Sequence, residues 1–182
     1  MDRRIEKTES AIANAFLELR AHKPLEKISV KELCERANIN KSTFYTHYQD
    51  IYDLSERLES QVAADVLKTI GHMEYLFERP DVFTRELYYA YLAQTNLINI
   101  LFSDSREGML VVRIEESLKE SLYALRPDLR GNATIDTLLT LEIYGQYYAY
   151  MKCRHFGDEA VIDILCSHWR QSITYLQEHG YC

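Results

Sequence analysis

The sequence predicts an all-α protein. Its 182 residues are 47% hydrophobic and 27% charged, which suits one compact helical domain or two small ones. Only 6 Gly and 3 Pro interrupt the chain, and this scarcity of turn residues favours helices joined by short loops over a sandwich or barrel. Apolar residues also recur every three or four positions, which is the period of an amphipathic helix.

The first fifty residues contain three helical patterns. An apolar stripe predicts a first helix from Arg3 to about His22, with Ile5, Ile12, Ala15, Phe16 and Leu19 on one face. Pro24 ends this pattern. Ser29, followed three residues later by Glu32, predicts a capping-box start for a second, short helix over 30–37.

A tight turn separates this short helix from the next. Asn38 tolerates the left-handed backbone that such a turn needs, and Asn40 can cap a third helix over 41–48. A helix-turn-helix also needs a small residue where the helices cross and apolar residues that clamp them. Residues that can do this are Leu33, Cys34, Ala37, Ile39, Phe44 and Tyr48.

The rest of the chain predicts longer helices. Asp50 can cap a fourth helix that runs toward Ile70 along an apolar stripe. Beyond Pro80 the spacing predicts helices near 82–102, 105–125, 133–155 and 158–178. We therefore divide the chain into an N-terminal three-helix domain, residues 1–50, and a larger helical domain, residues 51–182.

The third helix has a polar face that suits a nucleic-acid groove. If Phe44 and Tyr48 point inward, the exposed candidates are Lys41, Ser42, Thr43, Tyr45, Thr46 and His47. A lysine can bind phosphate or a guanine edge, and hydroxyls can contact bases or phosphates. The alternative is an ordinary capped helix pair on a solvated surface, but the combination with the turn favours DNA binding.

Residues 5 to about 66 resemble the N-terminal domain of the tetracycline-repressor-like (TetR) family, most closely from Ile28 to Tyr48 (ISVKELCERANINKSTFYTHY). The resemblance implies a nine-helix homodimer whose third helix enters the major groove of an inverted-repeat operator. It also implies backbone contacts from Tyr45 and His47, and a phosphate contact at Ser29. The function implied is a transcriptional repressor released by a small-molecule effector.

Two positions depart from the family pattern. Asn38 replaces the usual turn glycine, and Ile51 stands where many members carry a phosphate-binding lysine. One interpretation is that DNA binding is weaker or depends more on Arg3, Arg4, Lys7 and Lys41. The other is that Ile51 simply packs where the fourth helix meets the DNA-binding unit.

Charge supports a second class of function. The net charge is -7, and residues 1–50 carry nine Lys/Arg against eight Asp/Glu, so the acidic excess lies in the C-terminal part. Such a weakly basic N-terminal domain gives little bulk attraction to DNA. The alternative function is therefore a helical protein-interaction module or coactivator with little specific DNA binding.

The C-terminal domain is rich in tyrosine. Eleven of the fourteen tyrosines follow residue 70, and tyrosine suits partly wet cavities. In relatives of the resembled family these helices enclose an effector pocket, and the candidates here are Tyr88, Tyr89, Tyr91, Tyr144, Tyr147, Tyr148, Tyr150, Gln94, Asn96, Phe102 and Trp169. An aromatic stripe at helical spacing also suits a core or a dimer interface, so we assign no effector residue.

The last two predicted helices carry more apolar surface than one helix face can bury: Leu138, Leu139, Leu141, Ile143, Tyr147, Met151, Val161, Ile162, Leu165, Trp169, Ile173 and Leu176. We expect them to pair with a second copy as a four-helix interface, with Gly145 permitting close approach.

No catalytic, cofactor or metal motif is found. The sequence contains no Gly-rich phosphate loop, His-Glu-x-x-His or Gly-x-Ser-x-Gly, so we expect no enzyme. The spacing of His155 from Cys153, and of His168 from Cys166, places each pair on different sides of a helix, which disfavours a metal site. Cys34 and Cys182 are isolated too, and we assign none of the four thiols a chemistry.

No window approaches 18 consecutive apolar residues, and residues 1–7 lack the apolar stretch of a secretory signal. We therefore expect a cytoplasmic protein that does not bind membranes.

Overall fold

The structure, a computed structural model, describes residues 3–178 and 180. These residues form α-helices and no β-strand, which confirms the all-α prediction. The helices are α1 (Arg3–Arg20), α2 (Val30–Ala37), α3 (Lys41–His47), α4 (Ile51–Lys68), α5 (Tyr75–Glu78), α6 (Pro80–Ala93), α7 (Thr95–Leu101), α8 (Met109–Leu125), α9 (Ala133–Cys153) and α10 (Asp158–Glu178). Within this described part, no helix has both the length and the apolar character that crossing a bilayer requires.

The chain divides into two compact units. Unit 1 contains residues 1–62 and 95–110, and unit 2 contains residues 63–94 and 111–182. Helix α4 therefore contributes its first twelve residues to unit 1 and its last six to unit 2.

Unit 1 is built on apolar contacts among its short helices. Helix α1 packs on α2 and on α7, and α2 packs on α3. Its buried side chains include Ile12, Phe16, Leu19, Leu33, Phe44, Leu54 and Leu101. The predicted stripe on α1 is wrong at Ile5, which is 44% exposed, because the buried residues of α1 begin only at Ile12.

Two arginines fix the 95–110 segment within unit 1. The guanidinium of Arg106 donates to both carboxylate oxygens of Glu59 on α4, at 2.9 and 2.6 Å. Arg20 on α1 donates to Asp104 Oδ2 at 3.1 Å and to the carbonyl of Ser103 at 2.8 Å. The side chains of Glu59 and Arg20 are almost fully buried, so each needs its partner to offset the loss of water.

These contacts explain where two predicted helices were wrong. The helix expected over 82–102 breaks at Gln94, whose N–H bonds back to Tyr91 at 3.1 Å. Helix α6 packs on α10 in unit 2, whereas α7 packs on α1 in unit 1. The apolar residues that predicted one continuous helix therefore belong to two different cores. The helix expected from 105 begins at Met109, because a 3-10 turn over Asp104–Arg106, in which Asp104 accepts from Arg20, takes up its expected first residues.

Unit 2 has its own core. Helix α10 packs on α6 and α9, and α5 packs on α6. The core includes Leu76, Phe83, Leu118, Leu122, Leu139, Trp169, Ile173 and Leu176. The apolar stripe of α10 that we expected to meet a second copy is thus buried within the chain: Val161, Ile162, Leu165, Trp169, Ile173 and Leu176 are each 7% exposed or less. That part of the dimer prediction is wrong, because the apolar stripe of α10 packs against α6 and α9 of the same chain.

We predict that Glu59→Ala strongly destabilises the protein. The substitution leaves the Arg106 guanidinium, 16% exposed, without the carboxylate it binds, and removing one partner of a buried ion pair costs about 3–5 kcal/mol. Urea unfolding followed by circular dichroism measures the loss. The matched control is Glu56→Ala on the same helix, 53% exposed and 3.8 Å from Arg106, which should cost less than about 1 kcal/mol. Equal losses for the two variants would contradict the assigned role of Glu59.

Candidate functional site

Helices α2 and α3 are joined by a tight turn at Asn38. This residue has φ 54° and ψ 47°, the left-handed conformation that was predicted for it, and Ile39 N–H bonds to the carbonyl of Cys34 at 3.0 Å. Asn40 then caps α3, because its Oδ1 accepts from the N–H of Thr43 at 2.8 Å. Helix α2 has the predicted bounds, and α3 ends one residue earlier than predicted.

The rotation of α3 is set by two aromatic side chains. Phe44 is fully buried and Tyr48 is 8% exposed, with their ring centroids 5.7 Å apart, which confirms that both point inward. The opposite side of α3 exposes Tyr45, at 57%, together with Lys41, Ser42 and Thr46. Thr43 and His47 lie at the edge of this face and are half-buried.

The three aliphatic hydroxyls of α3, those of Ser42, Thr43 and Thr46, each donate their proton within the protein. Ser42 and Thr43 both donate to Asn40 Oδ1, at 2.6 and 2.8 Å. Thr46 donates to the carbonyl of Thr43 at 2.6 Å. The acceptors, Asn40 Oδ1 and the Thr43 carbonyl oxygen, carry no proton of their own. Because a hydroxyl has one proton and two lone pairs, each of these hydroxyls has already used its proton. In this arrangement the hydroxyls present only lone pairs to an outside partner.

His47 and Ser29 are less free than the sequence suggested. The His47 side chain is 14% exposed and its Nδ1 lies 3.2 Å from Glu9 Oε1 on α1. Ser29 caps α2 by accepting from the N–H of Glu32 at 3.2 Å. The predicted capping box is only half formed, since the Glu32 carboxylate pairs with Lys23 at 2.5 Å.

The start of α4 is occupied by the chain's own carboxylates. Asp50 accepts from the N–H of Asp53 at 2.8 Å, and Asp53 accepts from the N–H of Gln49 at 2.9 Å. Hydrogen bonds from Arg57 and from the Gln49 N–H lower the pKa of Asp53, so this end stays negatively charged. Ile51 is 5% exposed, which supports the packing interpretation of this residue.

One exposed aromatic residue of unit 1 was not among the residues predicted from the sequence. Tyr52, the second residue of α4, is 50% exposed. The signal was present, because Tyr52 falls outside the apolar stripe of Ile51 and Leu54 and therefore had no place in the core.

Unit 2 encloses a cavity of about 70 Å³. Five of the predicted aromatic residues line it, namely Tyr88, Tyr91, Tyr147, Tyr150 and Trp169. The remaining candidates, Tyr89, Tyr144, Tyr148, Gln94, Asn96 and Phe102, do not. The cavity wall is otherwise mainly aliphatic, so its chemistry depends on a few polar groups.

Glu142 is the carboxylate of this cavity wall. It is 8% exposed and accepts from Ser172 at 2.7 Å and from the side-chain amide of Gln146 at 3.2 Å. His168 Nε2 lies 3.4 Å from the same carboxylate and its side chain is 60% exposed. Glu142 was not predicted from the sequence, because an apolar helical stripe does not show which acidic residue turns inward.

An exposed apolar face remains on the last two helices. On α9 it comprises Leu141 (63% exposed), Tyr148 (45%) and Met151 (40%), and on α10 Ile164 (68%) and Tyr175 (55%). We call these five residues the α9–α10 face. Gly145 lies among them, and open space surrounds the position of a Cβ there.

The thiols and histidines form no cluster within the described residues. Cys34 and Cys166 are buried, and burial raises the pKa of both thiols, so they stay protonated. Cys182 lies outside the described residues. Across residues 3–178, no three side chains of His, Cys, Asp or Glu come together in a way that could hold a metal ion.

No protein-family model matches the chain, and no curated protein matches it.

Proposed function

We propose that this protein is a DNA-binding transcriptional regulator of the tetracycline-repressor-like type, a repressor released by a small-molecule effector. The observation that carries the proposal is the exposed face of α3, with Lys41, Ser42, Tyr45 and Thr46 opposite the buried Phe44. A short helix held by a tight turn, with polar residues outward, suits insertion into the major groove.

The residues of this face have distinct roles in the proposal. Lys41 is exposed at the start of α3 and binds phosphate or a guanine edge. Tyr45 contacts the phosphate backbone. The hydroxyls of Ser42, Thr43 and Thr46 offer lone pairs, which match the amino groups of adenine and cytosine better than phosphate oxygens.

Few groups of the protein are placed to bind the phosphate backbone of DNA. The carboxylates at the start of α4 disfavour a phosphate there. To bind a phosphate, the His47 side chain has to break or share its contact with Glu9. Affinity then depends on Tyr45, Ser29 and the cations Arg3, Arg4, Lys7 and Lys41, all of them exposed. Binding of this kind is strongly salt-dependent.

Two-fold pairing through the α9–α10 face completes the proposed regulator. Exposed apolar side chains at helical spacing on two adjacent helices favour an isologous four-helix interface. Such a dimer presents two copies of α3 to an inverted repeat.

The proposed effector binds in the cavity of unit 2. Helix α4 contributes residues to both units, and in this proposal it transmits effector binding from unit 2 to unit 1. The effector would thereby change the spacing of the two DNA-binding units in the dimer.

A second candidate function is a protein-interaction module or coactivator. It is favoured by the carboxylates at the start of α4, which weaken any phosphate contact at that helix end. A salt-insensitive complex with a protein partner, together with no selective DNA binding, would support this function over the first.

We predict that Tyr45→Ala weakens binding to every DNA sequence by about fivefold to tenfold, because it removes a backbone contact. Thr43→Ala should instead change the ranking of DNA variants. The measurement is fluorescence anisotropy at several salt concentrations, on DNA from upstream of the gene and on duplexes selected from a random library. Tyr45→Phe, which keeps the ring, is the matched control. Enrichment of no sequence by the wild-type protein would overturn the proposed function, and identical losses for both variants across all duplexes would refute their division of roles.

Because the hydroxyls of Ser42, Thr43 and Thr46 offer only lone pairs, we predict that they accept hydrogen bonds from base amino groups. In a selected duplex, N6-methyladenine or N4-methylcytosine replaces the amino hydrogen in the major groove and should weaken wild-type binding about threefold to tenfold at contacted positions. Thr43→Val keeps the shape of the side chain without its hydroxyl and should lose this sensitivity at one position. If 7-deazaguanine, which lacks the N7 acceptor, weakened binding there while methylation had no effect, the hydroxyls would be donors to the bases and the prediction would be wrong.

We predict that Leu141→Glu and Ile164→Glu each convert a dimer into monomers, because a carboxylate would be buried in the apolar interface. Light scattering after size-exclusion chromatography measures the mass at micromolar concentration. Leu125→Glu is the control, since Leu125 is 51% exposed at the end of α8 and outside the α9–α10 face. A monomeric wild-type protein, or equal dissociation of the control, would count against this interface.

A further inference from the structure

We infer that the cavity of unit 2 binds a small apolar molecule carrying one positive charge, of the alkylammonium class. This names the ligand class of the proposed effector site, and it rests on the proposed function only for the effect of the ligand on DNA. Three properties of the cavity wall favour such a ligand: its charge, its hydrogen-bonding groups and its aromatic faces.

The charge of the wall is negative. Among the described residues that line the cavity, Glu142 is the only carboxylate, and none is a lysine, an arginine or a histidine. Its two close partners, Ser172 and Gln146, are neutral donors that leave its charge in place. His168 approaches the carboxylate at 3.4 Å with a side chain that is 60% exposed, so it faces water and not the cavity.

Three of the four tyrosines in the wall direct their phenol protons at groups of the protein and so offer none to an anion. Tyr88 donates to the carbonyl of Gln146 at 3.0 Å, and Tyr150 donates to Asp158 at 2.7 Å. Tyr91 points its hydroxyl at the sulfur of Met151, 3.6 Å away. Burial raises the pKa of all three phenols, so they are neutral and Glu142 supplies the charge of the wall.

The same tyrosines form an aromatic cluster. The ring centroids of Tyr88 and Tyr150 are 4.7 Å apart, and Tyr91 meets Tyr150 edge to face at 5.8 Å. Aromatic faces attract cations, and the guanidinium of Arg154 already lies 5.4 Å from the ring centroid of Tyr150. Tyr147 and Trp169 extend the aromatic wall.

The size of the cavity restricts the ligand further. About 70 Å³ is well below the roughly 300–1,000 Å³ of pockets for drug-sized ligands. It is also below the roughly 150 Å³ of an engineered apolar cavity that holds benzene. A ligand of a few heavy atoms fits this space, and a larger one has to widen it.

The test compares a cation with a neutral molecule of the same shape. Isobutylammonium and isobutanol are titrated calorimetrically into the full-length protein. We expect the cation to bind about 10- to 100-fold more tightly, as for a charge-assisted hydrogen bond. Glu142→Gln keeps the shape and the acceptor for Ser172 but removes the charge, and should bring the ratio of affinities close to one. Glu120→Gln, exposed on α8 and outside the cavity, should leave the ratio unchanged.

Equal wild-type affinities for the two molecules, or a cation preference that survives in Glu142→Gln, would overturn the inference. The comparison of ligands on the wild-type protein does not depend on how any variant folds. The titration contains no DNA, so its failure is distinct from failure of DNA binding, which the anisotropy assay detects on its own.

Discussion

The buried carboxylate of Glu59 is the constraint on which unit 1 depends. A carboxylate that has lost its water needs close donors, and here they come from Arg106 and from Ser55, whose hydroxyl lies 2.8 Å away. Because Arg106 is 47 residues further along the chain, satisfying Glu59 brings the 95–110 segment into the same unit as α1–α3. The second arginine, Arg20, holds Asp104 in a left-handed turn in that segment.

Within this unit, the exposed face of α3 follows from what is hidden behind it. Burial of Phe44 and Tyr48 determines the rotation of the helix, and the left-handed Asn38 determines where it begins. Asn40 then ties down two of the hydroxyls on the exposed face. The same few residues therefore stabilise the helix and decide which hydrogen-bonding groups it presents.

Unit 2 divides its aromatic residues among three environments. Trp169 belongs to the core and also lines the cavity, Tyr88, Tyr91 and Tyr150 line the cavity, and Tyr148 is exposed on the α9–α10 face. The position of Glu142 gives the cavity a polarity that its apolar wall alone would lack. A pocket that combines aromatic faces with one carboxylate selects for charge as well as for size.

The sequence by itself determined the all-α class, the bounds of α2 and α10, the caps at Asn40 and Asp50, and the inward Phe44 and Tyr48. Each of these depends on residues within a turn or two of one another, so local spacing and capping chemistry suffice. Only the tertiary structure decided the break at Gln94, the pairing of Glu59 with Arg106, the burial of the α10 stripe and the choice of tyrosines around the cavity. These depend on partners from other helices, and helical periodicity shows that a side chain is apolar without showing which surface it meets.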